Sequence, residues 1–197
     1  MKDSKKKLWG PTGWYTLHAL GFQYQPKFYE DYKKMFTELL GPALPCPKCQ
    51  KHYKEYLTKN PFPSVSSTKG EIIKWVLDYH NNVNNYSPKT EKQYTLDELK
   101  NLYYPKNSMV LPINHRYIWN FLKIMKVYHK LNKSLSHYKN FIKRLGKIFP
   151  CEICQKRIAK RPSNKPIPYL RIISKHGNPK SVKKQKIKIA NTISINK

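Results

Sequence analysis

The chemistry of this chain rests first on four cysteines, which fall in two Cys-x-x-Cys pairs, Cys46-Pro-Lys-Cys49 and Cys151-Glu-Ile-Cys154, with none left over. Three uses compete. As a redox pair, two sulfurs with a two-residue spacer close a small ring with little backbone movement. At a helix start, the free N–H groups and the macrodipole stabilise the thiolate form. Pro47 restricts the spacer, and Lys48 adds positive charge. As zinc ligands, the two pairs would supply four thiolates to a tetrahedral site. Zinc pairs, however, favour knuckle turns rich in Gly and polar residues, and these two pairs are 101 residues apart. As inert thiols they would merely fill a core, which two matched pairs disfavour. Spacing alone leaves the redox and zinc readings open.

Aromatic and histidine residues flank the first pair. Trp9-Gly10-x-x-x-Trp14-x-x-Leu17-His18 precedes it, with Tyr24 six residues after the histidine. Pro45-Cys46-x-x-Cys49-x-x-His52 contains it. Trp75-x4-His80-Asn81-x-Val83-Asn84 follows it, with Lys89 just beyond. Each string has an ordinary reading. Trp14 and Trp75 suit a core, His18 on an apolar face suits a satisfied buried histidine, and an Asn-rich stretch suits a helix C-terminus.

The elements that must position these residues are helices. Trp14, Leu17, His18 and Gly21 share one face at spacings of three and four. Residues 27–40 carry Phe28, Tyr32, Met35, Phe36 and Leu39 on one stripe, and Gly41 with Pro42 is expected to stop that helix. Pro47 suits the first turn of the next helix, which runs through Tyr53 and Tyr56 towards Leu57. Residues 60–68 read as a loop. Ser67 or Thr68 then caps a helix from Gly70 to about Tyr86, with Ile72, Ile73, Val76 and Tyr79 inward. Thr95 caps a short helix at Leu96–Tyr103. Residues 115–149 are helical again, with a turn near Asn132–Leu135. No convincing alternating strand is seen. The expected fold is all-α, a bundle of four or five helices followed by a second helical segment.

That second segment repeats the first. A shift of 105 places Trp14 on Trp119, Leu17 on Leu122, Lys34 on Lys139, Phe36 on Phe141, Leu40 on Leu145 and Gly41 on Gly146. It also places Pro45, Cys46, Cys49, Gln50 and Lys51 on Pro150, Cys151, Cys154, Gln155 and Lys156. These are 11 identities in 38 ungapped positions, where chance gives roughly two. The chain therefore divides into a first domain at 1–106, a degenerate helical repeat at 112–156 and a basic tail at 157–197.

Charge separates the same parts. The net charge is +28, and of the 11 acidic residues only Glu152 lies beyond Glu98. Lys and Arg split 15 before residue 100 and 24 from Lys100 on. Such a surface suits a polyanion partner (nucleic acid, an anionic membrane or an acidic protein). A Lys-biased composition, rich also in Asn, Ile and Tyr, explains it equally well. The tail has too little apolar content to bury much and reads as a flexible segment. No apolar run approaches ~18 residues, so no membrane span is expected. The Lys-rich start lacks the apolar stretch of a secretory signal.

Taken together, the three strings resemble the ERV/ALR sulfhydryl oxidase family over residues 9 to about 104, and the short N-terminus resembles its compact virus-encoded members. The resemblance implies a four-helix bundle with a short fifth helix, holding FAD against a redox-active Cys46–Cys49 pair. It implies a cofactor set of Gly10, Trp14, His18, Tyr24, His80, Asn81, Val83, Asn84 and Lys89. In that set Trp14 and His18 line the flavin pocket and Tyr24 its edge. His80, Asn81 and Asn84 hold the adenosine half, Lys89 lies near the pyrophosphate, and Val83 with Trp75 chiefly packs the helix. It implies a thiol oxidase that moves electrons from a protein dithiol, or a thioredoxin-like carrier, through Cys46 and then Cys49 to FAD and on to O2, yielding H2O2.

Two departures stand out. Many members staple the fifth helix with a further disulfide, and no cysteine is available here for it. The repeat keeps a Trp and the Cys pair, but Lys123 replaces the histidine, and Asn114 with His115 replaces Trp-Gly. It is therefore not expected to bind flavin. Cys151 and Cys154 are candidates for a shuttle disulfide, and the repeat is a candidate for a domain that packs on the first copy as a second subunit would, since family members commonly dimerise through their first two helices; the two roles are compatible. A homodimer is the other possibility. The competing reading is a basic zinc-binding, nucleic-acid-associated protein, which leaves the Trp and His strings unexplained. The expected location is the cytoplasm, or a virion if viral, with the mitochondrial intermembrane space less favoured and secretion not expected.

Overall fold

The computed structural model describes residues 4–86, 92–103 and 115–149 of the 197-residue chain. Lys89, Cys151, Cys154 and the 157–197 segment lie outside the described residues. Helix is the regular structure of the described residues, with no strand among them: α1 (Ser4–Phe22), α2 (Tyr29–Lys34), α3 (Leu40–Ala43), α4 (Pro47–Lys59), α5 (Lys69–Asn85), α6 (Leu96–Tyr103), α7 (His115–Leu131) and α8 (Leu135–Ile148). The all-α expectation holds. No helix among the described residues is long and apolar enough to cross a membrane.

Helix α1 is the axis of the molecule. Residues 13–22 are buried without interruption, as befits a helix covered on more than one side. Helix α5 packs on one face and α7 on another. The caps act where the sequence places them. Thr68 and Glu71 form a reciprocal capping box at the start of α5, and Thr95 with Glu98 does the same for α6. Ile72, Ile73, Val76 and Tyr79 are all buried.

Gly41 and Pro42 do not end their helix, contrary to expectation. The rod begun by α2 passes through a π-helical turn at Met35–Leu39 and continues as α3 to Ala43. In an α-helix the ring of Pro42 would collide with the carbonyl four residues back, at Glu38. That carbonyl lies in the wider π turn, which gives the ring room. What ends the rod is Pro45. The residue before a proline is driven to extended backbone, and Leu44 has φ −60° and ψ 134°. Phe149, which precedes Pro150 and is equivalent to Leu44 under the 105-residue shift, has the same φ and ψ.

Helices α7 and α8 do not stand apart. Helix α7 lies along α1, and α8 lies across α2, the π turn and α3. Trp9 meets Phe121 at 6.0 Å between ring centroids, and Tyr15 meets Tyr117 at 5.1 Å. Arg144 pairs with Asp31, and Lys147 approaches the same carboxylate at 3.6 Å. One apolar core runs from Trp9 and Leu17 through Phe121 and Met125 to Phe141 and Leu145.

Gly13 sits at the tightest point of this seam. A Cβ there would lie 2.6 Å from a Trp9 ring carbon and 3.2 Å from Phe121. Gly13→Ala is expected to destabilise the protein by about 1–3 kcal/mol through overpacking, despite alanine's helix advantage of up to ~1 kcal/mol. Urea unfolding followed by circular dichroism reads this. An unchanged or raised midpoint would show that Trp9 can swing clear.

Candidate active site

Helix α4 opens at the first cysteine pair. Cys46 is its N-cap, in extended backbone (φ −164°, ψ 117°), and Pro47 takes the first helical position, where its missing N–H costs nothing. Cys46 and Cys49 are joined by a disulfide with Cα atoms 5.2 Å apart. The Cys49 N–H donates to Cys46 Sγ at 3.2 Å. The sulfur nearest the helix start thus occupies the seat of an N-cap acceptor, where negative charge is favoured.

The approach to Cys46 is anchored carbonyl by carbonyl. Gln50 Nε2 donates to Leu44 O at 2.8 Å and to Pro42 O at 3.3 Å. The Cys46 N–H donates to Leu44 O at 2.9 Å. His129 of α7 makes a 2.8 Å hydrogen bond from Nε2 to Ala43 O. On the same helix as the cysteines, Tyr53 donates from its hydroxyl to Phe36 O at 2.6 Å and meets Tyr79 of α5 at 4.8 Å between centroids.

Tyr79 leads to a buried cluster of rings. Trp14 of α1 lies 5.1 Å from Tyr79 and stacks on His80 of α5 at 4.0 Å and 15°. His18 Nε2 and His80 Nδ1 share a hydrogen bond of 2.9 Å. Tyr103 flanks His18 at 5.6 Å and Tyr94 flanks His80 at 5.1 Å. The motif reading assigns Trp14 and His18 to one half of the cofactor and His80 to the other, whereas here the three rings share one cluster, with 62 residues of sequence between the histidines. Burial pushes the His18 pKa down to about 3 and, with His18 beside it, holds that of His80 well below the usual imidazole range. Both rings are therefore neutral at pH 7, and the shared bond takes one N–H. His18 Nδ1 then has no protein partner, and neither has the Tyr24 hydroxyl or Trp9 Nε1. Buried polar atoms are normally satisfied, and these three are the exceptions among the described residues. A Cβ at Gly10 would meet no protein atom within 4 Å, so protein packing does not demand the glycine.

Asn81 and Asn84 do something the motif did not disclose. The Asn81 amide both donates to Tyr94 O at 2.8 Å and accepts from Tyr94 N at 2.9 Å. Asn84 Nδ2 donates to Lys92 O at 2.7 Å. Together they pin the segment before α6 to α5 and so hold Tyr94 against His80. Val83 packs half-buried against the core. A cleft of about 50 Å³ lies between α4 and α5, lined by His52, Tyr56, Asn82 and Tyr86 among others, with His52 and Tyr86 stacked at 4.8 Å.

Tyr79, Tyr94, Tyr103, Tyr86, Asn82 and His129 were not singled out from sequence as site residues. Tyr79 was legible only as an inward position on its helix. Asn82 is the unassigned position inside the His80–Asn84 string, and the others lie outside the motif strings and join through tertiary packing.

Comparison with known proteins follows this geometry. Residues 11–104 match the model of the Erv1 / Alr family. The chain is 38% identical over 98 residues to an FAD-linked sulfhydryl oxidase of African swine fever virus, covering 48% of this chain and 79% of that protein. It is 33% identical over 90 residues to a probable FAD-linked sulfhydryl oxidase of Acanthamoeba polyphaga mimivirus, covering 44% of this chain and 63% of that protein. A putative FAD-linked sulfhydryl oxidase of Invertebrate iridescent virus 3 is 31% identical over 81 residues, covering 40% of this chain and 55% of that protein. No solved structure matches.

Proposed function

Since the chain belongs to the Erv1/Alr family, we propose that it is an FAD-linked sulfhydryl oxidase that forms disulfides in protein thiols and reduces O2 to H2O2. The observation that carries this reading is the Cys46–Cys49 disulfide at the head of α4. Family membership and the buried ring cluster with its unpartnered polar atoms support FAD as the cofactor. Trp14, His18, Tyr24 and His80 would hold it, with Gly10 giving close approach and Val83 packing behind. Asn81 and Asn84 act through the segment they pin. Lys89, beyond α5, would supply charge near the phosphates. Bound there, FAD accepts two electrons and passes them to O2.

The residues of this chain handle the thiol chemistry. A substrate thiolate attacks Cys46 Sγ and breaks the Cys46–Cys49 bond, so that Cys49 leaves as a thiolate. The second substrate thiolate then attacks the substrate sulfur and expels Cys46 as a thiolate. The Cys49 N–H already bonded to Cys46 Sγ stabilises that leaving group, and a better-stabilised thiolate leaves faster. The substrate loses two electrons and two protons to become a disulfide. Overall, two thiols and O2 give one disulfide and H2O2. The zinc reading, with this pair oxidised and the family identified, has no remaining support.

The finer assignments go together. We read the first domain, the 112–156 repeat and the 157–197 tail as parts with separate roles. Equivalent helices of the two copies lie against one another, α1 on α7 and α2–α3 on α8. This supports an internal pseudo-dimer rather than a homodimer. Cys151 and Cys154 would shuttle electrons from substrate to Cys46. The cationic second half would localise the enzyme to a polyanion. The cytoplasm of an infected cell, or a virion, suits its viral relatives.

The purified protein is expected to show flavin absorption bands near roughly 375 and 450 nm that bleach when a dithiol is added without oxygen and return on aeration. A colourless protein that FAD cannot reconstitute would overturn the oxidase assignment.

A further inference from the structure

We propose that His129 is a positioning residue for the Cys46–Cys49 disulfide, acting through the Ala43 carbonyl, so that α7 and α8 are a working part of the redox centre; this rests on the oxidase reading above. His129 is 1% exposed and lies on α7, beyond the segment that matches the family. Its Nε2 is 2.8 Å from Ala43 O, and its Nδ1 is 2.8 Å from the Ser134 hydroxyl. In the neutral ring both contacts are satisfied together only if Nε2–H donates to the carbonyl and Nδ1 accepts from the hydroxyl, because a carbonyl cannot donate. Burial lowers the pKa of His129, with the Ala43 hydrogen bond opposing and the neighbouring His137 reinforcing that shift. Ser134 thereby fixes the tautomer that Ala43 needs.

What makes this contact matter is the stiffness of the link that follows it. Only Leu44 and Pro45 separate Ala43 from Cys46. Proline fixes its own φ, and the residue before it is confined to extended backbone. Leu44 and Pro45 are also buried. A displacement at Ala43 therefore reaches Cys46 with little loss. Within the rod itself the Leu44 N–H donates to Leu40 O at 3.0 Å and to Gly41 O at 3.2 Å, and His129 adds a restraint from a helix outside both the rod and α4. Gln50 holds Pro42 O and Leu44 O, but it rides on α4 with the cysteines. His129 fixes the link from outside that helix. The Asp31 contacts to Arg144 and Lys147 tie the same pair of helices to the start of the rod. The rod that delivers Cys46 is thus held at both ends by helices that the family match does not include.

The decisive comparison is His129→Gln against His129→Met in the full-length protein. The two side chains are of similar length, and only glutamine can donate an N–H to Ala43 O. The probe is dithiothreitol, which is oxidised to its cyclic disulfide as Cys46 and Cys49 take up two electrons and two protons. Anaerobic mixing is expected to show flavin reduction slowed about 10-fold or more in His129→Met and restored to within about 3-fold of wild type in His129→Gln, because small misplacements of reacting groups carry large rate penalties. Reoxidation by O2 should be unchanged in both. The Cys46–Cys49 reduction potential, read by thiol alkylation and mass in dithiothreitol redox buffers, should shift in the methionine variant alone. This reading is obtained even from a variant that has lost flavin. Equal rates and equal potentials in wild type and both variants would overturn the positioning role. A wild type without flavin would instead overturn the oxidase reading, and the exchange measurement would still decide the role of His129.

Discussion

Cys46→Ser and Cys49→Ser each abolish turnover of any thiol substrate, by about 10³-fold or more, while leaving bound flavin in place. The expectation follows from the division of labour at the head of α4. Substrate exchange needs a disulfide to attack, and a serine at either position removes it. Neither sulfur is buried in the ring cluster that would hold the cofactor, so the flavin spectrum survives. The contrast with the second pair sharpens the test. Cys151→Ala should leave oxidation of dithiothreitol at the wild-type rate, since a small dithiol reaches Cys46 unaided. It should slow the oxidation of protein dithiols. If Cys151→Ala matches wild type on protein substrates as well, the shuttle role fails. If Cys46→Ser retains activity, the electron path through α4 is wrong.

Acid is expected to unfold this protein well before its carboxylates are protonated. His18 is fully buried, and its folded-state pKa is pushed down to about 3 by desolvation, against about 6.5 in an unfolded chain. Below pH 6.5 the unfolded state binds the proton and the folded state does not, so stability falls as pH falls. The contribution is complete above pH 6.5 and is lost progressively towards pH 3. By pH 5 the cost is roughly 2 kcal/mol from His18 alone. His80 and His129, both also lowered by burial, act in the same direction. The groups facing His18 are Trp14, His80 and Tyr103, none of which carries a negative charge at these pH values to offset the loss. Urea midpoints at pH 7.5 and pH 5.0 test this, with His18→Leu as the control whose slope should flatten. Identical midpoints at the two pH values would mean that the histidines are hydrated or paired in a way the structure does not show.

Much of this site was legible because its residues sit at helical spacings. Trp14 and His18 are one turn apart, His80 lies on the inward stripe that also carries Val76, and Pro47 after Cys46 marks a helix start. The caps at Thr68 and Thr95 were readable because a hydroxyl three residues before a glutamate is a local device. Pro42 was misread for a physical reason: its tolerance depends on a π turn, and nothing in the hydrophobic stripe of 27–40 reveals that the hydrogen-bond ladder slips there. The work of Asn81 and Asn84 was also hidden, because their partners are backbone atoms of Lys92 and Tyr94, which have no side-chain signature. His129 could not be found at all from sequence. Its partner Ala43 O lies 86 residues away, and the contact exists only because α7 returns to α1.

The seam between α1 and α7 bears on how this gene can be cut. Ending an expression clone where the similarity to relatives ends, near residue 104, would strip the cover from Trp9 and Tyr15 and leave the Ala43 carbonyl without its donor. The stretch held in common with the viral oxidases and the stretch that buries its own apolar surface have different lengths here. Truncation boundaries should follow the second.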